Sequence, residues 1–256
     1  MAAKSEIQWT QATWNPWHGC KKVSLGCKYC YMYRDKERYG QDPSIVMRSK
    51  GNFNDPLKWK NGLLIFTCSW SDFFIEEADA WRQEAWDIIR KTPEHTYQIL
   101  TKRPERILQC LPKDWGSGYP NVWLGVSIES QEQAERANIL KDIPAWTGNR
   151  FISAEPLIGP LEFPTSIFSY FSWIIIGGES GNTTGKYLYR PSYVDWITRL
   201  LVACHETPCF PFVKQLGAHL AKEMNLEDRS GGDISEWYEY LKIRKFPKEM
   251  LKHFEP

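Results

Sequence analysis

Three cysteines, Cys20, Cys27 and Cys30, fall within eleven residues, and thiols this close point to a metal centre. Gly26, just before the second cysteine, permits the turn that lets one loop wrap a compact centre. Iron–sulfur clusters are held by thiolates, and three ligands rather than four leave one iron open to a small molecule. The competing chemistry is structural zinc, with His18 as fourth ligand, because His18 and Cys20 are two apart and both reach one ion. The total of seven cysteines is odd, which argues against a disulfide framework. Cys68, Cys110, Cys204 and Cys209 read as buried small hydrophobes rather than ligands.

A second set of chemistry-bearing residues recurs immediately after apolar runs: Ser69-Trp70-Ser71-Asp72, Lys102-Arg103, Ser127-Ile128-Glu129, Glu155-Pro156, Gly177-Gly178-Glu179-Ser180 and Lys214-Gln215. Any one of these is an ordinary polar loop taken alone. Together they describe a ring in which Glu129, Glu155, Glu179 and Lys214 hydrogen-bond ribose hydroxyls, an amino group and a carboxylate. Gly177 and Gly178 would let a flat ring approach the backbone closely. Lys102, Glu155 and Lys214 are the candidates for catalytic contacts, with Asp72 and Arg190 as further rim residues.

These groups need elements to position them. Leu63-Leu64-Ile65-Phe66-Thr67-Cys68 reads as a buried strand, and Ala78, Trp81, Ala85, Ile88 and Ile89 share one face of a helix over 78–91. That helix opens on acidic residues and closes on Arg90-Lys91, as its dipole favours. Further strands are expected at 96–101, 122–127, 150–154, 173–177 and 210–213. Helices are expected after Pro104, from a Ser130–Gln133 capping box to Lys141, and over 192–203. Apolar strands alternating with amphipathic helices imply an α/β fold: a parallel (β/α) barrel of six to seven units, partial or closed, with reacting groups at the carboxyl ends of its strands. No linker rich in Pro, Gly or Ser divides the chain, so a single domain over 1–256 is expected. Its parts are a metal loop at about 9–60, the barrel at about 61–221 and a polar tail at about 222–256. The tail's basic residues, Lys242, Arg244, Lys245, Lys248 and Lys252, read as a solvated face or a minor phosphate-contacting patch.

Charged residues make up 25% of the chain, hydrophobic ones 42%, and the net charge is +1, ordinary for a soluble domain. A protein living by non-specific phosphate binding would be more basic. No run of about 18 apolar residues exists, and the stretch Met1-Ala2-Ala3-Lys4-Ser5-Glu6 lacks the apolar core of a signal peptide. A cytoplasmic location and no membrane partner are expected. The thirteen tryptophans read mainly as core and rim packing, a minority lining a pocket for a flat ligand.

The cysteine run, with an aromatic residue between its second and third thiols, resembles the radical S-adenosylmethionine signature. The resemblance implies a radical-SAM-like barrel with an N-terminal iron–sulfur loop. Cys20, Cys27 and Cys30 would hold a 4Fe–4S cluster, S-adenosyl-L-methionine would chelate the fourth iron through its amino and carboxylate groups, and Tyr29 would lie near the adenine. The first gap between cysteines is six residues here, against the usual three in the superfamily. The superfamily's Gly-Gly-Glu at the end of the second strand, which holds the methionine amino group, is replaced by Ser69-Trp70-Ser71-Asp72, so Ser69, Ser71 or Asp72 is expected in its place. The wider pattern is Thr13-Trp14-Asn15-Pro16, Gly19-Cys20, Gly26-Cys27, Cys30-Tyr31, Leu100-Thr101-Lys102-Arg103-Pro104, Leu124-Gly125-Val126-Ser127, Ser153-Ala154-Glu155-Pro156-Leu157 and Gly177-Gly178-Glu179-Ser180. It is similar, over most of residues 8–217, to a phage-associated family of three-cysteine proteins of unknown function, regarded as an atypical branch of the same class.

That resemblance implies an enzyme that generates a 5′-deoxyadenosyl radical from cluster-bound S-adenosylmethionine and removes hydrogen from a substrate over the barrel mouth. An electron donor of flavodoxin or ferredoxin type is the implied partner, and the cytoplasm of a bacterium or a phage-infected host cell is the implied location. Cofactor contacts are expected at Tyr29, Ser69, Asp72, Ser127, Glu129, Gly177, Gly178 and Glu179. Phage association points to a modified or damaged base in DNA as the substrate, rearranged or repaired. Lys102, Arg103, Arg190 and Lys214 beside Trp70 and Tyr187 suit phosphate contact and base stacking, unless those cations simply pair with the facing carboxylates. Two alternatives stay open: the same chemistry on a free nucleotide or peptide, and a non-enzymatic, zinc-stabilised nucleic-acid-binding module.

Overall fold

The computed structural model describes residues 5–254, so the stretch 1–4 of the N-terminal reading lies outside it. Seven strands form one parallel sheet in the order β1 (Ala12–Trp14), β4 (Leu64–Thr67), β5 (Thr96–Thr101), β6 (Val122–Ser127), β7 (Arg150–Ala154), β8 (Trp173–Gly177) and β9 (Phe210–Gln215). The order is linear, with β1 and β9 at its edges, and the sheet curls into an open half-barrel. A separate antiparallel pair, β2 (Trp17–His18) and β3 (Met47–Arg48), lies within the segment that joins β1 to β4. Six of the seven parallel strands stand where apolar runs announce them. The seventh, β1, falls inside the expected metal loop, because three residues are too short to show a period. Pairing of Ala12 with Ile65 and Trp14 with Thr67 holds it to the sheet.

Both faces of the sheet are apolar, for different reasons. On the convex side Ile65, Tyr97, Ile99, Leu124, Val126, Ile152, Ile174 and Ile176 meet the helices in one large core. There α2 (Asp79–Lys91) buries Ala85, Trp86, Ile88 and Ile89, α4 (Glu135–Lys141) buries Ala137 and Leu140, and α5 (Val194–Cys204) buries Ile197, Leu200 and Leu201. Two further helices are α1 (Tyr31–Arg38) and the single turn α3 (Ile107–Cys110). The Ser130–Gln133 pair works differently from a capping box: Ser130 Oγ donates to Gln133 Oε1 at 2.9 Å, and a 3-10 turn over Gln131–Gln133 precedes α4.

On the concave side the alternate residues Leu64, Phe66, Trp123, Phe151, Trp173, Ile175 and Phe212 form a second core, closed from below by Trp9 and Met250. Its rings pack edge to face, as at Trp9–Trp173 and Trp173–Phe212, with centroids 6.1 and 5.8 Å apart. Gly125 is obligatory here, since a Cβ would stand 2.3 Å from the Phe151 ring. The aromatic floor changes to polar groups toward the carboxyl ends: Ser127 and Ser153 are buried, and the residues two positions further on are Glu129 and Glu155.

The C-terminal segment corrects the reading of a solvated face at Arg244, while Lys245, Lys248 and Lys252 are exposed. After α6 (Ala218–Glu223) it returns along β9, where Arg244 pairs antiparallel with Phe212. The Arg244 guanidinium donates to the carbonyls of Val213, Lys214 and Gly232 at 3.0, 2.7 and 2.9 Å, and Trp237, Leu241 and Met250 of α7 (Lys248–Leu251) are buried. A basic side chain spent on three carbonyls leaves no cue in sequence that separates it from surface lysines.

Candidate metal centre

Parallel strands put every carboxyl end on one side, so the segment leaving β1 starts at the same mouth as the loops after β4 to β9. The cysteines lie in that segment. Gly19, in a left-handed conformation (φ 92°), starts the loop, and a Cβ there would strike the Ile45 carbonyl. The turn after β4 is stitched to it: the Gly19 amide donates to Trp70 O at 3.0 Å and Ser71 Oγ to Gly19 O at 2.6 Å. Asn15 accepts from the Trp70 amide at 2.8 Å and donates to Ser69 Oγ at 3.0 Å. Ser69 and Ser71 thus fix the loop's entry.

Each thiol has its own surroundings. Burial pushes the Cys20 thiol up to about 12, Asp72 adds to this, and Arg103, whose Nη1 lies 3.8 Å from Sγ, pulls against it. Cys27 is buried at the end of a 3-10 turn, with Ser24 Oγ 3.8 Å from its sulfur. Cys30 caps the N-terminus of α1; burial raises its thiol, while the Met32 and Tyr33 amides and the Lys102 ammonium act the other way. Tyr33 donates from its hydroxyl to the Cys20 carbonyl at 2.5 Å, tying α1 back to the start of the loop.

The loop rests on a fully buried carboxylate. Glu129 has 0% exposure; its Oε1 accepts from Ser24 Oγ at 2.9 Å and meets Lys102 Nζ at 3.1 Å, and its Oε2 meets Arg136 Nη1 at 2.9 Å. A Cβ on Gly26 would stand 2.4 Å from that carboxylate, so the glycine before Cys27 lets the loop lie on Glu129 as well as turn. Burial pushes the Glu129 carboxyl up, but Lys102 and Arg136 outweigh it and hold it below the ordinary 4.5. Asp72 plays a parallel part, accepting from Thr101 Oγ1, the Lys102 amide and the Phe74 amide at 2.7–2.9 Å and pairing with Arg103 at 3.1 Å. On the opposite side Arg190 pairs with buried Glu179 and donates from Nη1 to Leu25 O at 2.7 Å. Arg190 also lies over the Tyr29 ring, 5.3 Å from its centroid.

Inside the mouth one ion pair belongs to neither clamp: Lys214 Nζ meets Glu155 Oε1 at 2.9 Å. Gly177 makes room for it, since a Cβ there would come within 2.5 Å of Glu155 Oε1. The space beside Gly178 is taken by the Leu216 carbonyl instead, so the second glycine serves the packing of β8 against the strand end of β9. Each rim cation named for phosphate contact, Lys102, Arg103, Arg190 and Lys214, is paired with a carboxylate of the mouth. Tyr187 is buried and Trp70 half-buried.

In the single-ion alternative the fourth ligand would be His18, and its ring is engaged elsewhere. His18 Nδ1 lies 2.7 Å from the Nζ of Lys36, which is 1% exposed, and burial together with that ammonium lowers the His18 pKa. Among the described residues no three His, Cys, Asp or Glu side chains converge on a point that one ion would occupy. A cluster sets a looser spacing than a single ion does, because each of its irons takes its own thiolate. The donors beside the thiols, Arg103, Ser24 and the α1 amides, fit an anionic sulfur-rich group.

Ser24, Arg136 and Tyr33 are the site residues that sequence reasoning missed, while Asn15 appears there only as part of a motif, without a role. Arg136 sits on α4, seven residues past Glu129, and only folding brings its charge under the loop.

A sequence model of the family described as "Protein of unknown function (DUF5131)" matches residues 4–244. Neither the curated proteins nor the solved structures give a match.

Proposed function

The chain belongs to the DUF5131 family, described as of unknown function, and we propose that it is a radical S-adenosylmethionine enzyme acting on a base in DNA. The observation that carries the reading is the loop of three thiols at the carboxyl mouth of a parallel half-barrel, with hydrogen-bond donors set against it and the neighbouring histidine bound elsewhere. Cys20, Cys27 and Cys30 would hold the cluster. When bound, it supplies an electron to S-adenosylmethionine and so the radical that takes hydrogen from a substrate.

The chain's own residues have assignable work. Arg103 and Lys102 offset the negative charge of a thiolate-held group, while Asp72 and Glu129 keep both cations in place. Ser24 and Gly26 seat the loop on Glu129 from one side, and Arg190 clamps it from the other. Tyr29, flanked by Arg190 and Lys28, offers a ring for the adenine. The Glu155–Lys214 pair is the group left to meet ligand: opened, Lys214 donates to a carboxylate and Glu155 accepts from an ammonium. Ser127 and Ser153 offer buried hydroxyls above a floor of aromatic rings that excludes water.

Anaerobic reconstitution followed by iron, sulfide and zinc analysis tests the first half. Iron and sulfide with visible colour are expected; stoichiometric zinc without colour ends the proposal. The second half is tested by supplying reductant, S-adenosylmethionine and DNA and following 5′-deoxyadenosine by mass spectrometry. Stimulation by a free nucleotide or peptide but not by DNA would remove the DNA substrate and leave the chemistry.

A further inference from the structure

With the mouth's cations spent on carboxylates, one group of exposed lysines lies on the outside of the cysteine loop. Residues 9–60 hold ten Lys and Arg against four Asp and Glu, in a chain whose net charge is +1. Part of that excess gathers where the loop, α1 and the segment after β8 meet. Lys22 donates to Lys28 O at 3.1 Å and stands over the Tyr33 ring, 4.5 Å from its centroid. Lys28 stands over Tyr29 at 5.1 Å and Lys186 over Tyr187 at 5.5 Å. Lys186 reaches across to Glu37 of α1 at 2.7 Å, and Asp42 is a second acid within electrostatic reach of Tyr33. All three lysines are exposed, Tyr29 and Tyr33 are half-buried, and Leu25 and Val23 add exposed apolar surface on the same loop.

We propose that this face, built from Lys22, Lys28, Lys186 and Tyr33 with Tyr29 at its inner end, is a docking surface for single-stranded nucleic acid. It rests on the nucleic-acid half of the function proposed above and not on the radical chemistry. Ammonium groups laid over tyrosine rings suit a strand whose phosphates and bases alternate: the lysines swing to phosphates and the uncovered ring stacks a base. A uniformly acidic protein surface would use the lysines but leave the ring unemployed. The face adjoins the cysteine loop, so a strand lying on it brings a base to the mouth without duplex opening by the protein.

The test is fluorescence anisotropy with a labelled oligothymidylate of about 12 nucleotides and the matching duplex, on the protein as isolated and after reconstitution. Single strand should bind more tightly than duplex, with log affinity falling against log salt at a slope of about −2 for three phosphate contacts. Lys22→Ala/Lys28→Ala/Lys186→Ala should flatten that slope, and Lys245→Ala/Lys248→Ala should not. Tyr33→Phe and Tyr33→Leu both lose the hydroxyl bond to the Cys20 carbonyl, so their difference reads the ring: Tyr33→Leu should bind about tenfold more weakly. Equal binding by the triple variant and the parent, or by the two Tyr33 variants, overturns the proposal. So does a reduced flavodoxin-class protein that needs these lysines while the oligonucleotide fails to bind. Because the readout needs neither iron nor S-adenosylmethionine, its failure is separable from failure of the radical chemistry.

Discussion

Glu129 sets an acid limit for the seat of the cysteine loop. Its carboxyl is held below the ordinary value in the folded chain, so its contribution to stability is fully present above about pH 4.5 and is lost as pH falls through the lower, folded value. Urea midpoints measured from pH 7 down to pH 3 should therefore fall, and Glu129→Gln should remove part of that slope. At pH 7 the same variant leaves Lys102 and Arg136 facing a neutral amide and should cost about 3 kcal/mol. At the thiols the expectation is selective: Cys20→Ala, Cys27→Ala or Cys30→Ala abolishes iron and sulfide binding. Cys110→Ala and Cys204→Ala keep it, since both thiols are buried at core positions away from the loop. Equal loss of iron in Cys204→Ala would show that the ligand set is misassigned.

The segment after β8 and the strands themselves carry the next predictions. Arg190→Met would strand the Glu179 carboxylate at 5% exposure and release Leu25 O. Because a fifth of the Arg190 side chain is exposed, the expected loss is at the low end, about 2 kcal/mol. Amide exchange should quicken over residues 20–30 in that variant, whereas quickening confined to the neighbourhood of Arg190 would argue against a clamp. Within β6, Gly125→Ala should cost about 1–3 kcal/mol by overpacking against Phe151. Adding Phe151→Leu should restore part of it, and calorimetric melting of the three variants measures the coupling.

For the molecule as a whole, the open edge of the half-barrel at β9 is covered by the chain's own C-terminal segment. Arg244→Ala removes donors from three carbonyls at once and should lower stability by about 2–4 kcal/mol, read from a denaturant midpoint. A change within the range of an ordinary surface substitution, about 0.5 kcal/mol, would mean that the segment is an appendage after all.

What the sequence determined by itself was whatever is written in local pattern. Six strands, the main helices and the tight cysteine spacing are legible because burial on two faces demands continuous apolar runs and because one loop must carry several ligands. The half-barrel order follows from alternation of strands with helices, but its openness does not, since curvature and edge closure depend on contacts far apart in sequence. The same limit governs the charges. A one-dimensional list leaves open whether Lys102, Arg103, Arg190 and Lys214 are free or paired, and only the tertiary structure joins them to Glu129, Asp72, Glu179 and Glu155. Ser24, Arg136 and Arg244 carried no signal for a related reason. A side chain's partner is fixed by which strand ends meet at the mouth, and that is decided when the sheet curls.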